Sequence, residues 1–186
     1  EKGNLKLDDR IIQHLPDIEQ PLAKAVSIHH LLVHTHGITD LNKPLEFEPG
    51  SQFDYSQLGY ELLAQILEKT TGNTFHELAS DLFSRYGLKN TYHPDAKNYT
   101  NLVKGYEEAE NGKLSLATNS LENYAAAGSF ISNAGDLNQW NELLYSGKLV
   151  REETLALMKT RYATRLHPVF DKIEYGYGLL KRGGER

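Results

Sequence analysis

Apolar residues recur at helical spacing over two long stretches of this chain. In residues 57–71, Leu58, Leu62, Leu63, Ile66 and Leu67 share one face. Ser56 stands at the N-cap position and Gly72 where a helix stops, so a helix is expected over Gln57–Thr71. A second helix begins at once. Thr74 and Glu77 form a capping-box pair, and Phe75, Leu78, Leu82 and Phe83 make its buried stripe. Weaker patterns predict a short helix in "LDDRIIQHLP" (7–16), stopped by Pro16, and another in "SIHHLLVHTHG" (27–37), with Ser27 as N-cap and Gly37 as the stop. "SNAGDLNQWNELLYSGKL" (132–149) reads as a helix capped by Ser132 or Asn133, with Asp136 favourable in its first turn. "REETLALMKT" (151–160) reads as one more.

The β signal is smaller. Asn111-Gly112 between strand-like runs predicts a hairpin within 103–118. "EYGYGLLKR" (174–182) alternates as a strand, with nothing visible to pair beside it. The expected class is α+β, mostly helical, with a minor hairpin and a C-terminal strand. No repeat, low-complexity tract or clean linker divides the chain.

Composition narrows this little. An apolar fraction of 39% and a charged fraction of 24% over 186 residues suit a soluble globular domain. The net charge of -5 is spread out, with no basic stripe for nucleic acid and no Lys/Arg cluster for an anionic membrane. No apolar run is long enough to span a bilayer. The absence of cysteine excludes disulfides, thiolate metal sites and a cysteine nucleophile.

Candidate chemistry is sparse. His30 and His34 stand at i and i+4, with His29 and His36 nearby, a spacing that can hold a metal. No Glu lies in the metalloprotease position between them, and Asp40, the next carboxylate, is six residues beyond His34. Hydrogen bonding to backbone around a tight turn at Gly37 is the favoured alternative. Tyr55, set on a turn just before a helix, is either a half-buried tyrosine with a local partner or a general base. A phenol titrates near ~10 and needs nearby cations to work as a base at neutral pH. Gln57 offers an amide to a substrate carbonyl, or is a polar residue in a helix's first turn. The small residues at 125–129 permit close backbone approach, and packing is the simpler reading.

Taken in order, the segments resemble the serine β-lactamase-related family of class C β-lactamases, D-alanyl-D-alanine carboxypeptidases and esterases. "GNLKLDD" (3–9), "HLLVHTHGI" (30–38) and "FEPGSQFDYSQLGYELLAQILEKTTG" (47–72) are similar to its motifs. So are "FHELASDLFSRYGLKNTYH" and "AAAGSFISNAGDLNQWNELLYSGKL" further on. The resemblance implies the largely helical subdomain of that fold. It implies a serine nucleophile that forms an acyl-enzyme with a β-lactam, D-Ala peptide or ester. Tyr55 falls on the family's general acid/base tyrosine. Gln57 stands where the family has a substrate-binding Asn, and its extra methylene displaces the amide.

Three departures accompany the likeness. No Ser-x-x-Lys occurs in the chain, nor does the Lys-Thr-Gly or His-x-Gly strand. The stretch from Gly37 to Pro49 is shorter than usual, which implies a more open cleft. Residues 1–186 are therefore expected to be one partial domain, the central part of a β-lactamase-like domain truncated at both ends, and inactive alone. A non-catalytic binding module that kept the helical scaffold is the alternative. No cofactor and no metal are expected. The implied partner is a small-molecule or cell-wall peptide substrate, and the implied location the cell envelope.

Overall fold

The computed structural model describes residues 3–18, 22–96, 99–117, 122–167 and 171–182. Helix α1 (Leu22–Ala25) and helix α2 (Ile28–Leu32) lead to the long helix α3 (Gln57–Thr71). The α3 bounds match its apolar spacing. Leu62 and Ile66 are fully buried, each contributing about 1.5–3 kcal/mol of transfer free energy. Gly72 ends α3 in the left-handed region (φ 75°), its N–H reaching Glu68 O at 2.8 Å. Ser56 occupies the N-cap, but its side chain makes no capping bond. Helix α2 packs across α3, and Ile11, Val26, Leu31 and Ile38 complete the core between them. The helix expected over 7–16 is reduced to one 3-10 turn at Ile11–Gln13. The Ile11 N–H is drawn to Val26 O (3.0 Å), a long-range bond that replaces a helical one.

Helix α4 (Phe75–Arg85) opens with the expected capping box: Glu77 N–H donates to Thr74 Oγ1 (3.1 Å), and Thr74 N–H to Glu77 Oε2 (2.8 Å). Its inner face, Ala79 and Phe83, meets Leu88, Phe130 and Trp140. Helix α5 (Ala134–Tyr145) is capped by Asn133, whose Oδ1 accepts the Asp136 N–H at 2.8 Å. The buried Asp136 carboxylate then accepts from Asn90 N–H (2.8 Å) and Thr91 Oγ1 (2.9 Å), joining α5 to the loop after α4. Burial alone would raise its pKa. The donors from Asn90 and Thr91 outweigh burial and hold it below the usual carboxylate value. Helix α6 (Glu152–Lys159) follows.

Strands β1 (Tyr106–Glu108) and β2 (Leu114–Leu116) form the expected hairpin, with Tyr106 opposite Leu116. Thr118, at the end of that predicted segment, and residues 183–186 lie outside the described residues. The C-terminal region departs from expectation. Strands β3 (Ala163–His167), β4 (Asp171–Tyr175) and β5 (Leu180–Arg182) form an antiparallel sheet in that order. The single unpaired strand expected over 174–182 is thus a hairpin that turns through Gly176–Leu179, and β4 has a partner on each side. Gly178, left-handed at φ 68°, permits the turn. Glu174 is buried on β4 because Arg161 grips it, Nε at 2.8 Å and the second nitrogen at 3.2 Å. The protein is α+β and mostly helical. No helix among the described residues is long and apolar enough to cross a membrane.

The β4–β5 turn is seated against the end of α6. Tyr177 N–H donates to Met158 O at 3.0 Å, and a Cβ on Gly176 would lie 2.1 Å from that carbonyl oxygen. Gly176→Ala is expected to lower stability by about 1–3 kcal/mol through overpacking. Urea denaturation measures it, and an unshifted midpoint would mean that the turn does not press on α6.

Candidate active site

The segment after α2 shapes the site. The helix expected to run to Gly37 stops at Leu32. Thr35 N–H bonds back to His30 O (2.9 Å) and His34 N–H to Leu31 O (3.3 Å), the paired closure of a Schellman motif. The left-handed residue in that motif is His34 (φ 56°), not a glycine. The helix yields because the next carbonyls are used elsewhere. His34 O accepts the Asp54 N–H (2.9 Å), and Thr35 O the Gly50 N–H (2.8 Å). Ser27 remains the N-cap, accepting the His30 N–H at 3.3 Å.

These bonds bring Tyr55 onto His34. The two rings lie 4.5 Å apart, tilted by 36°. Tyr60, one turn into α3, stacks on the same imidazole at 5.1 Å. Tyr175, at the end of β4, meets it edge-on at 4.9 Å. His34 Nδ1 accepts the Ser56 N–H (3.2 Å), so the neutral ring carries its proton on Nε2 and donates to Tyr175 Oη (3.1 Å). Burial pushes the His34 pKa down from 6.5 to about 4, which keeps the ring neutral.

Three phenols therefore surround one neutral imidazole, in unequal settings. Tyr55 is 52% exposed. Tyr60 is largely buried; burial first, then Tyr175 and Tyr55, push its pKa up, and its hydroxyl donates to Leu32 O (3.1 Å). Tyr175 is pushed up by burial, with Tyr55 adding to it. Neither of these half-buried phenols gives up its proton readily. Tyr55 is the phenol open to solvent, and no described residue takes its hydroxyl in a hydrogen bond. Gln57, the first residue of α3, is exposed. An apolar cavity of about 390 Å³ lies behind the cluster, lined by Leu32, Tyr60, Leu63 and Leu67 among others.

The other histidines are structural. The early end of α2 takes His34 off the face that carries His30, so the i, i+4 spacing has no common face. Among the described residues no group of three His, Asp or Glu gathers to hold a metal. His29 Nδ1 bonds Tyr177 Oη at 2.7 Å, and His36 Nδ1 accepts the Ile38 N–H at 2.9 Å. His36 Nε2 is buried without a partner among the described residues. It faces Gly59, where a Cβ would lie 2.6 Å away. The small residues at 125–127 belong to a 3-10 turn (Glu122–Ala127) that packs on α3. Sequence reasoning singled out Tyr55 and Gln57 but missed the convergence of Tyr60 and Tyr175 on His34, which spans 141 positions. The tyrosines of "EYGYGLL" were the only local signal.

A β-lactamase family model matches residues 1–183, and the chain belongs to that family of serine hydrolases. Human mitochondrial serine beta-lactamase-like protein LACTB is 33% identical over 107 residues, covering 56% of this chain and 20% of that one. The octameric penicillin-binding protein homologue from Pyrococcus abyssi superposes with a TM-score of 0.80 at 24% identity, over 97% of this chain and 48% of that one. The D-amino acid amidase from Ochrobactrum anthropi SV3 does so with a TM-score of 0.81 at 24% identity, over 98% and 61%. The chain spans half or less of the length of the curated relatives it matches.

The buried histidines set the acid response. His34 and His36 both fall from 6.5 to about 4, and burial pushes His29, His30 and His93 the same way. The unfolded chain binds these protons first, so their contribution to stability is complete above pH 6.5 and is lost as pH falls toward 4. At about 1.4 kcal/mol per pKa unit, the loss at His34 and His36 alone comes to roughly 7 kcal/mol. Asp136 acts in a lower window, below its unfolded value of 3.8. Urea midpoints at pH 7.5, 5.5 and 4.5 should fall in order; a flat series would contradict neutral burial of these rings.

Proposed function

We propose that residues 1–186 supply the tyrosine-bearing part of a serine acyl-hydrolase, in which Tyr55 is the general acid/base. The observation that carries this reading is the inequality of the three phenols. Tyr60 and Tyr175 are half-buried with raised pKa values, while Tyr55 is exposed just before α3, its hydroxyl without a hydrogen bond among the described residues. The nucleophilic serine and its lysine come from sequence outside these residues, as the family resemblance implies. The lysine ammonium supplies the cation that a phenolate needs near neutral pH.

The reaction is acyl transfer. The serine oxygen attacks the carbonyl carbon while its proton passes to Tyr55 Oη. The C–N or C–O bond then breaks, and the leaving amine or alcohol takes that proton. Water attacks the acyl-serine ester, releasing the acid and restoring the serine. Gln57, exposed at the first position of α3, offers its amide to the substrate carbonyl or side chain. The substrate class is an amide, ester or β-lactam of a peptide or small molecule, in keeping with the amidase and penicillin-binding homologue whose fold this chain shares. No cofactor takes part.

Two outcomes follow. The 1–186 polypeptide should not be labelled by a fluorescent penicillin or a fluorophosphonate, whereas the full-length gene product should be. In the full-length protein Tyr55→Phe should slow turnover about 10²–10⁴-fold, the scale of a lost general acid/base. Labelling of the isolated 1–186 chain, or an unchanged rate for Tyr55→Phe, would contradict the assignment.

A further inference from the structure

We propose that His34 is the positioning residue that fixes Tyr55 for proton transfer, an inference that rests on the reading of Tyr55 given above. One residue brackets the tyrosine on both sides. His34 O accepts the Asp54 N–H at 2.9 Å, and His34 Nδ1 accepts the Ser56 N–H at 3.2 Å. The backbone immediately before and after Tyr55 is therefore tied to a single side chain and its own carbonyl. The Tyr55 ring then rests on the imidazole at 4.5 Å. Backbone and ring are held from the same point.

That point is itself rigid. The imidazole is 1% exposed, stacked by Tyr60, and bonded through Nε2 to Tyr175 Oη on the C-terminal sheet. Phe53 adds an edge contact at 5.8 Å. The backbone shows the same preference for the ring. The residue that closes α2 in the left-handed region is ordinarily glycine, because a side chain costs roughly 1–2 kcal/mol there. A glycine at 34 would serve the turn without that strain. It would leave the Ser56 N–H and Tyr175 Oη without their partner and the Tyr55 ring without its platform. The turn itself does not need the imidazole, but the placement of Tyr55 does. His34 does not take the proton itself: Nδ1 is occupied by an N–H donor and Nε2 by Tyr175, and the ring is sealed from solvent.

The test is a double-mutant cycle in the full-length gene product, using His34→Gly, which relieves the left-handed backbone, and Tyr55→Phe. His34→Gly should lower kcat about 10–100-fold, as misplacement by about an ångström does, with KM changed less than about threefold. In the Tyr55→Phe background the same change should cost nothing further, because the group it positions is gone. A merely structural role would add its loss to that of Tyr55→Phe, and that result, or an unchanged kcat, overturns the proposal. Should His34→Gly fail to fold, His34→Asn, which tolerates the left-handed region, takes its place with the same expectation. A second readout needs no activity. In the full-length protein labelled with ring-¹³C tyrosine, the Tyr55 signal should move to the free-tyrosine position in either His34 variant. A signal that stays put overturns the positioning role. Loss of activity on His34→Gly with no effect of Tyr55→Phe would overturn both the role of Tyr55 and the positioning role built on it, whereas a Tyr55→Phe loss with an unchanged His34→Gly overturns the positioning role alone.

Discussion

The arrangement turns on one buried imidazole with both nitrogens engaged. His34 joins three stretches far apart in the chain: the end of α2, the turn before α3 and the end of β4. A buried polar ring left unpaired costs about 1–3 kcal/mol, so each partner is required once the ring is inside. That requirement sets where the sheet docks, because Tyr175 must arrive at Nε2. It also sets where α2 ends, because a helix continuing through 34 would keep that carbonyl from Asp54. His36, two residues on, shows the contrasting case. Its Nε2 is unpaired among the described residues, and what it faces is the backbone of α3, brought close by Gly59.

What was legible in the sequence was local. The bounds of α3 follow from apolar spacing and from Gly72. The capping box of α4 is written in Thr74 and Glu77. The hairpin at 106–116 is written in Asn111-Gly112, where Ala109 N–H bonds Lys113 O and Gly112 N–H bonds Ala109 O. Each of these rests on contacts within a few residues. The elements that were misread rest on contacts across the chain. "SIHHLLVHTHG" carries helical spacing to Gly37, yet residues 50 and 54 compete for its carbonyls and win. The three-stranded sheet was seen as one strand because β3 is short and polar in sequence, and because the turn at 176–179 interrupts an alternation that otherwise continues to 182.

The candidate site divides along the same line. Tyr55 could be singled out from its place before a helix and from the family resemblance, since both are properties of a short segment. The roles of Tyr60 and Tyr175 could not. A tyrosine in a helix's first turns or at a strand end is ordinary, and only the fold shows that both reach the same ring. His34 was read as a possible metal ligand or a turn residue, and the turn reading was nearer. The turn it makes is three residues earlier than Gly37 and uses a histidine where the motif favours glycine.

The division of labour among the phenols then follows from solvation. A buried phenol resists ionisation because the phenolate loses its water, and a second negative charge nearby raises the cost again. Tyr60 and Tyr175 carry both penalties, and so act as fixed, neutral walls. The imidazole between them is neutral for the mirror reason, since burial disfavours its cation. In the proposed mechanism these three groups hold their protons and Tyr55 exchanges one. Of the three phenols Tyr55 is the exposed one, and its ring rests on the rigid set. On that reading a phenolate at Tyr55 needs a positive charge beside it. Arg165, the cation that packs over Phe53 at 5.7 Å from its ring, is held against an aromatic face rather than aimed at a phenol. The proposed mechanism therefore takes that charge from the lysine that the family resemblance implies.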